Sequence, residues 1–181
     1  MMYSQAEFKK LFLDVFAKEL GTIAIFDEDA ELYNTDNLPY FASGYCTPSC
    51  FTGFEKPLVV LQFEEFEQQQ MLSVLIHEHA HALLHDDPLS ELLYEEMEIE
   101  AETVALKVMD YLGYSTETNE AYIQDYMEEL VCNEHFDDGY YDYEERSKEV
   151  DWAIMKITKT VDKIPYAKFV SNEMIDAREI V

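Results

Sequence analysis

The segment Ile76-His77-Glu78-His79-Ala80-His81-Ala82-Leu83-Leu84-His85 places two histidines and a glutamate in the order H-E-x-x-H within an otherwise apolar run. In an α-helix, residues four apart lie about 40° apart around the axis and roughly 6 Å along it, so the imidazoles of His77 and His81 can converge on one ion. Glu78 then sits beside the ion without ligating it. From there its carboxylate can take a proton from a water that zinc acidifies to a pKa of roughly 7, and pass it to a leaving amine. The spacing thus supplies two ligands and a general base for a zinc-dependent hydrolase.

Such groups need a helix sunk in the core. Met71, Leu72, Val74, Leu75, Ile76, Ala80, Ala82, Leu83 and Leu84 surround the motif with apolar residues on more than one face. Buried polar side chains are costly without partners, and a cation satisfies all three at once. Asp86-Asp87-Pro88 ends the helix, because the residue before proline is pushed out of helical geometry. A catalytic zinc needs a third protein ligand and an open position. The next helix, Ser90 to Leu112, closed by Gly113, offers it. Ala101, Val104, Ala105, Val108 and Leu112 form its apolar face, and Glu100 lies on the edge of that stripe. Glu100 is therefore the expected third ligand. Glu98 and Glu102, expected to project further toward solvent, stand behind it.

The segment from Gly44 through Ala105, with His77-Glu78-His79-Ala80-His81-Ala82-Leu83-Leu84-His85 followed by Glu98-Ile99-Glu100-Ala101-Glu102-Thr103-Val104-Ala105, resembles the ImmA/IrrE metallopeptidases and the catalytic domain of ArdC-type antirestriction proteins. The resemblance covers roughly residues 40–160. It implies zinc on His77, His81 and Glu100, catalysis by Glu78, and a setting in a phage or other mobile element with a repressor or host defence protein as target. It also implies a zincin-like fold of the gluzincin kind. The residues ahead of Gly44 are too few for the single-stranded-DNA-binding domain of ArdC-type proteins, and no further C-terminal domain is evident, so one domain over 1–181 is expected.

Length fits this, since 181 residues can bury a core of their own. No run of eighteen apolar residues and no signal peptide is found, which leads to the expectation of a soluble, cytoplasmic protein without membrane partners. Three cysteines, Cys46, Cys50 and Cys132, imply no disulfide framework, and Cys46 and Cys50 read as free thiols around a turn. The formal charge of −27, from 39 acidic and 12 basic residues, repels phosphate, so direct nucleic-acid binding is not expected. It suits a basic substrate such as a DNA-binding repressor, steered electrostatically. The same charge leaves open a non-enzymatic alternative: an acidic antirestriction protein that mimics DNA and keeps zinc for its fold. Solubility alone is a third reading of the charge.

The elements that must position the motif follow from periodicity. Ser4 to Leu20 reads as an amphipathic helix closed by Gly21, with Phe8, Leu11, Phe12, Val15, Phe16 and Leu20 at helical spacing. Thr22 to Phe26, Tyr40 to Tyr45 and Leu58 to Phe63 read as strands of a small antiparallel sheet beside the active helix. By the family resemblance, Leu58 to Phe63 is the edge that pairs with an extended substrate. Glu64 to Leu84 forms the active helix, and Asn119 to Cys132 and Tyr143 to Lys163 two more. The expected class is α+β, with the sheet packed on the active-site helix and several further helices.

Of the remaining histidines, His85 is expected to support the site from one turn beyond His81, since a fourth protein ligand would block the water position. His79 must point elsewhere, to the surface or a supporting position. A peptidase also needs a donor for the oxyanion of its tetrahedral intermediate. His135, in the acidic Tyr-rich loop Asn133 to Tyr143, and Tyr94 are the candidates.

Overall fold

The computed structural model describes residues 5–26, 44–62, 68–87, 92–132 and 143–164. The N-terminal helix runs as α1 (Gln5–Phe8), a π-helical turn (Lys9–Leu13) and α2 (Asp14–Leu20). The wider turn shifts the register, so that Phe8, Phe12, Leu13 and Phe16 are all fully buried. Gly21, at φ 76°, takes the left-handed conformation that ends α2.

Three short strands follow: β1 (Ile23–Phe26), β2 (Gly44–Thr47) and β3 (Leu58–Leu61), with the four-residue helix α3 (Ser49–Thr52) after β2. The sheet order is β1-β3-β2. β1 pairs with β3 in parallel, Ala24 opposite Val59 and Phe26 opposite Leu61, whereas β2 pairs with β3 antiparallel, Cys46 opposite Val59. The expected antiparallel sheet is therefore mixed; the long chain between Phe26 and Leu58 can make the crossover that parallel pairing requires. The expected edge strand is the central one. Leu58, Val59, Val60 and Leu61 are at most 1% exposed because β3 has a neighbour on each side, and an unbroken apolar run signals that position better than an edge. Side chains alternate across the sheet: Val59 and Leu61 join the main core, while Leu58 and Val60 pack with Ile25 on the other face.

The rest of the described chain is helical. α4 (Gln68–Leu84) carries H-E-x-x-H, and α5 (Tyr94–Leu112), α6 (Glu117–Cys132) and α7 (Tyr143–Val161) follow. α4 packs on β2, β3, α5 and α7, which explains its apolar residues on several faces, with Met71, Leu72, Leu75, Ile76 and Ala80 fully buried. α5 contacts α4, α6 and α7 together, and it stops at Gly113, which has φ 82°. The architecture is α+β, mostly helical with a small mixed sheet. Among the described residues, no helix is long and apolar enough to cross a membrane.

Candidate metal centre

Helical geometry puts Val74, His77, Glu78, His81 and His85 along the side of α4 that faces a cleft of about 970 Å³, enclosed by β2, α4, α5 and α6. The Nε2 atoms of His77 and His81 lie 3.0 Å apart. The Glu98 carboxylate spans them, with Oε2 3.2 Å from His77 Nε2 and Oε1 3.4 Å from His81 Nε2. Donors held about 2.0–2.1 Å from a tetrahedral ion are separated by roughly 3.3 Å, so these three groups have the spacing that a divalent ion requires. His77, His81 and Glu98 form a group able to hold a metal ion.

The structure thus brings Glu98, rather than the expected Glu100, to the histidine pair. Glu100 is buried, 2% exposed, as its place on the apolar edge implied, but it faces away: its carboxylate accepts hydrogen bonds from His85 Nε2 at 3.0 Å and from Arg146 of α7. Glu98 and Glu102 do not project to solvent either, at 8% and 5% exposed. They sit one turn apart on the face of α5 toward α4, and Glu102 supports the site. Its Oε2 accepts from His77 Nδ1 at 2.7 Å, and its Oε1 accepts from Asn119 of α6, whose amide also donates to Ser73. A carboxylate on Nδ1 leaves the Nε2 lone pair of His77 pointing into the cleft and raises its basicity.

Close carboxylates dominate the electrostatics. Burial opposes a charge on His77, but hydrogen bonds to Glu102 and Glu98 and the charge of Glu78 outweigh it, and the pKa rises to about 10. His81 goes the other way, to about 4, because burial prevails. For Glu98 the cost of burial is overcome by the hydrogen bonds from His77 and His81, which hold its carboxyl below the usual range. Before an ion enters, His77 therefore carries the proton that an ion must displace. Ion uptake at pH 7 is expected to release about one proton per ion, and affinity to rise about tenfold per pH unit below pH 10. Titration calorimetry in two buffers of different ionisation enthalpy measures this directly; uptake without proton release would show that His77 is neutral. In the ion-free protein the same raised pKa is stabilising, fully so below about 6.5 and progressively lost as pH rises through about 10.

Glu78 is placed by its neighbours. Burial, followed by repulsion from Glu98 and Glu102 against the pull of His77, raises its carboxyl to about 7, which suits a base working near neutrality. Its position depends on Gly44. A Cβ built there would lie 2.6 Å from Val74 Cγ1 and 3.0 Å from Glu78 Oε1, so the absence of a side chain lets β2 close on the glutamate. Gly44→Ala is expected to cost about 1–3 kcal/mol by overpacking and to displace Glu78 while leaving ion affinity near wild type. Thermal unfolding and ion titration on one preparation test this. β2 is held from its other end by Asp86, just past α4, which accepts from Ser49 N at 2.6 Å and Ser49 Oγ at 2.8 Å.

Tyr94 is 60% exposed at the cleft rim and stands edge-on to Tyr126 of α6, with ring centroids 6.4 Å apart. Burial first, then the nearby Glu98 charge, raises both phenols above their ordinary pKa. Tyr94, one of the two expected donors, thus lines the cleft. Tyr126, which was not among the expected donors, stands with it; its place on the Tyr122-Tyr126 turn of α6, four residues apart, was the available signal. The other candidate donor, His135, lies outside the described residues. His79 is not at the surface: it is fully buried against Phe16, donates from Nδ1 to Leu75 O and accepts from Thr22 Oγ1 at Nε2. Burial lowers its pKa to about 4, so it is a neutral pin between α4 and the start of β1. Cys46 and Cys50 are free thiols, as expected.

Comparison of the chain with protein-family models, with curated proteins and with solved structures finds no match.

Proposed function

We propose that the protein is a zinc-dependent metallopeptidase of zincin-like fold, in which His77, His81 and Glu98 hold the ion and Glu78 is the general base. The observation that carries this reading is the convergence of two imidazole nitrogens and a carboxylate at 3.0–3.4 Å, with the buried carboxylate of Glu78 next to them and a cleft in front. Nitrogen and oxygen donors in a three-residue set with one side open suit catalytic zinc. The resemblance of the H-E-x-x-H-A-L-L-H segment to ImmA/IrrE metallopeptidases points the same way. When bound, zinc supplies Lewis acidity toward water and toward the scissile carbonyl.

The chain's own residues do the remainder. Glu78 takes a proton from the attacking water and returns it to the leaving nitrogen, a shuttle that a pKa of about 7 permits in both directions. Tyr94 and Tyr126 present phenol donors at the cleft rim, where an oxygen gaining charge can be stabilised. Among the described residues β2 is an edge strand of the sheet and borders the cleft, so an extended peptide can add there as a further strand, the role first expected of Leu58 to Phe63. A net charge of −27 favours a basic protein as substrate, and a DNA-binding repressor of a mobile element has that character. Incubating the zinc-loaded chain with a library of basic peptides and reading new termini by mass spectrometry tests the proposal. Cleavage that a chelator stops supports it, and no cleavage across the library counts against it.

The charge also favours a second reading, an acidic DNA mimic in which the ion serves the fold. In that case effect depends on the surface carboxylates and not on Glu78.

A further inference from the structure

Past the donor set the cleft continues toward the N-terminal end of α4, and there its lining changes character. Gln69 and Ser73 of α4, Ser115, and Thr118 and Asn119 of α6 border it, with Met109 of α5 about two turns beyond Glu102. Two hydrogen bonds tie this end together, from Gln69 Nε2 to the Ser115 carbonyl at 3.2 Å and from Asn119 Nδ2 to Ser73 Oγ at 3.0 Å. None of these side chains is charged, in a chain with 39 acidic and 12 basic residues. Among the described residues, the carboxylates that line the cleft, Glu78, Glu98 and Glu102, all belong to the centre itself.

Asn119 is the buried member of this group, 3% exposed. Its amide has two hydrogens, and they go to Ser73 Oγ and Glu102 Oε1. What remains is the carbonyl oxygen Oδ1, which has no protein partner among the described residues and is not sealed off from the cleft. Ser73 Oγ accepts from Asn119, so the hydroxyl keeps its own hydrogen to give. An acceptor and a donor therefore stand side by side in the cleft wall. A carboxamide matches both, giving N–H to Oδ1 and accepting from the Ser73 hydroxyl. A carboxylate offers only acceptors, an ammonium only donors, and an apolar side chain leaves both groups unmatched. Glu102, the carboxylate bonded to Asn119, gives an ammonium little, because each of its oxygens already holds a donor.

Resting on the peptidase reading above, we propose that Asn119 and Ser73 form a specificity subsite for a carboxamide side chain, so that the chain selects a glutamine or asparagine close to the bond it cuts. Ser73 precedes His77 by four residues, roughly 6 Å along the helix axis, a distance that an extended peptide covers in about two residues. The selected side chain therefore lies within about two residues of the scissile bond. The acidic surface draws in a basic protein, and this neutral patch chooses the place of cleavage within it.

The test reads cleavage and binding separately. The zinc-loaded chain is incubated with basic peptides in which each position in turn carries Gln, Asn, Glu, Lys, Met or Ala, and new termini are counted by mass spectrometry. At one position near the cut, Gln or Asn should exceed Glu, Lys and Met by about tenfold, the effect of one buried hydrogen bond made or lost, and Ser73→Ala should remove the preference. In parallel, the NMR signals of the Asn119 side-chain amide are followed as the N-acetyl methylamides of Gln, Glu, Lys and Met are added, and the Gln probe should shift them most. Cleavage without a carboxamide preference near the cut, or with one that Ser73→Ala leaves intact, would overturn the subsite and leave the peptidase standing. A chain that responds to the Gln probe but cuts no peptide would overturn the peptidase reading instead, and one that does neither would overturn both.

Discussion

Replacing Glu78 by Gln is expected to lower peptide hydrolysis by about 10²–10⁴-fold while the ion stays bound. The amide keeps the size of the side chain and the contact with Gly44, but it cannot accept a proton from water. Since Glu78 lies beside the donor set rather than within it, ion content should remain near that of the wild type. Single-turnover rates with ion content measured on the same samples give both numbers. The substitution also separates the two functional readings: a DNA mimic should keep its full effect in Glu78→Gln, and lose it only when surface carboxylates are thinned. Full activity in Glu78→Gln would remove the peptidase.

The second large effect is expected from Glu98→Ala. An outer partner of a ligand is worth about 10–100-fold in affinity, and removal of a ligand should cost more than that. Glu98→Ala leaves two imidazoles and no anionic ligand, and binding should fall below detection at micromolar zinc. The difference should also appear in thermal unfolding. Zinc at about a thousand times its dissociation constant stabilises the wild type by roughly 4 kcal/mol, which for a chain of this size is a shift on the order of 10 °C. Glu98→Ala should show no such shift, whereas Glu100→Ala, which removes an outer partner, should retain a reduced one. Equal loss in both variants would mean that the distinction between the two glutamates is wrong.

The contrast between Glu98 and Glu100 marks how far the sequence can be read. His77, Glu78 and His81 were legible because all three lie on a single helix, where 3.6 residues per turn fixes their relation. The helices themselves were also legible: α2, α4, α5 and α7 end within a few residues of where Gly21, Asp86, Gly113 and Lys163 suggested. The proposed third ligand comes from a different helix, and its choice depends on how that helix is rotated. One apolar stripe on α5, read as Ala101, Val104, Ala105, Val108 and Leu112, correctly marked Glu100 as buried. But α5 is covered on three sides, by α4, α6 and α7, so burial alone did not say which neighbour Glu100 meets. It meets α7, through an arginine far along the chain. The row Tyr94, Glu98, Ala101, Glu102, Ala105, Met109, also at helical spacing, was the signal for the other face, and Tyr94, Glu98, Glu102 and Met109 line the cleft.

Strand order was illegible for a related reason. Leu58-Val59-Val60-Leu61 has no polar alternation, and such a run fits a strand covered on both faces, but nothing local shows that β1 runs parallel to it or that β2 takes the free side. Long-range pairing is set by the crossover and by the helices that cover the sheet, not by the strands alone. Similarly, His85 was legible as a support but not its partners, since Glu100 and Arg146 come from two other helices.

The decisive measurement is anomalous scattering at the zinc edge from crystals of the chain prepared with zinc. One peak is expected, bounded by His77 Nε2, His81 Nε2 and a Glu98 oxygen at about 2.0–2.2 Å, with the Glu78 carboxylate nearby but not bound to it. No peak between these residues, or a peak held by Glu100 in place of Glu98, would contradict the proposed centre.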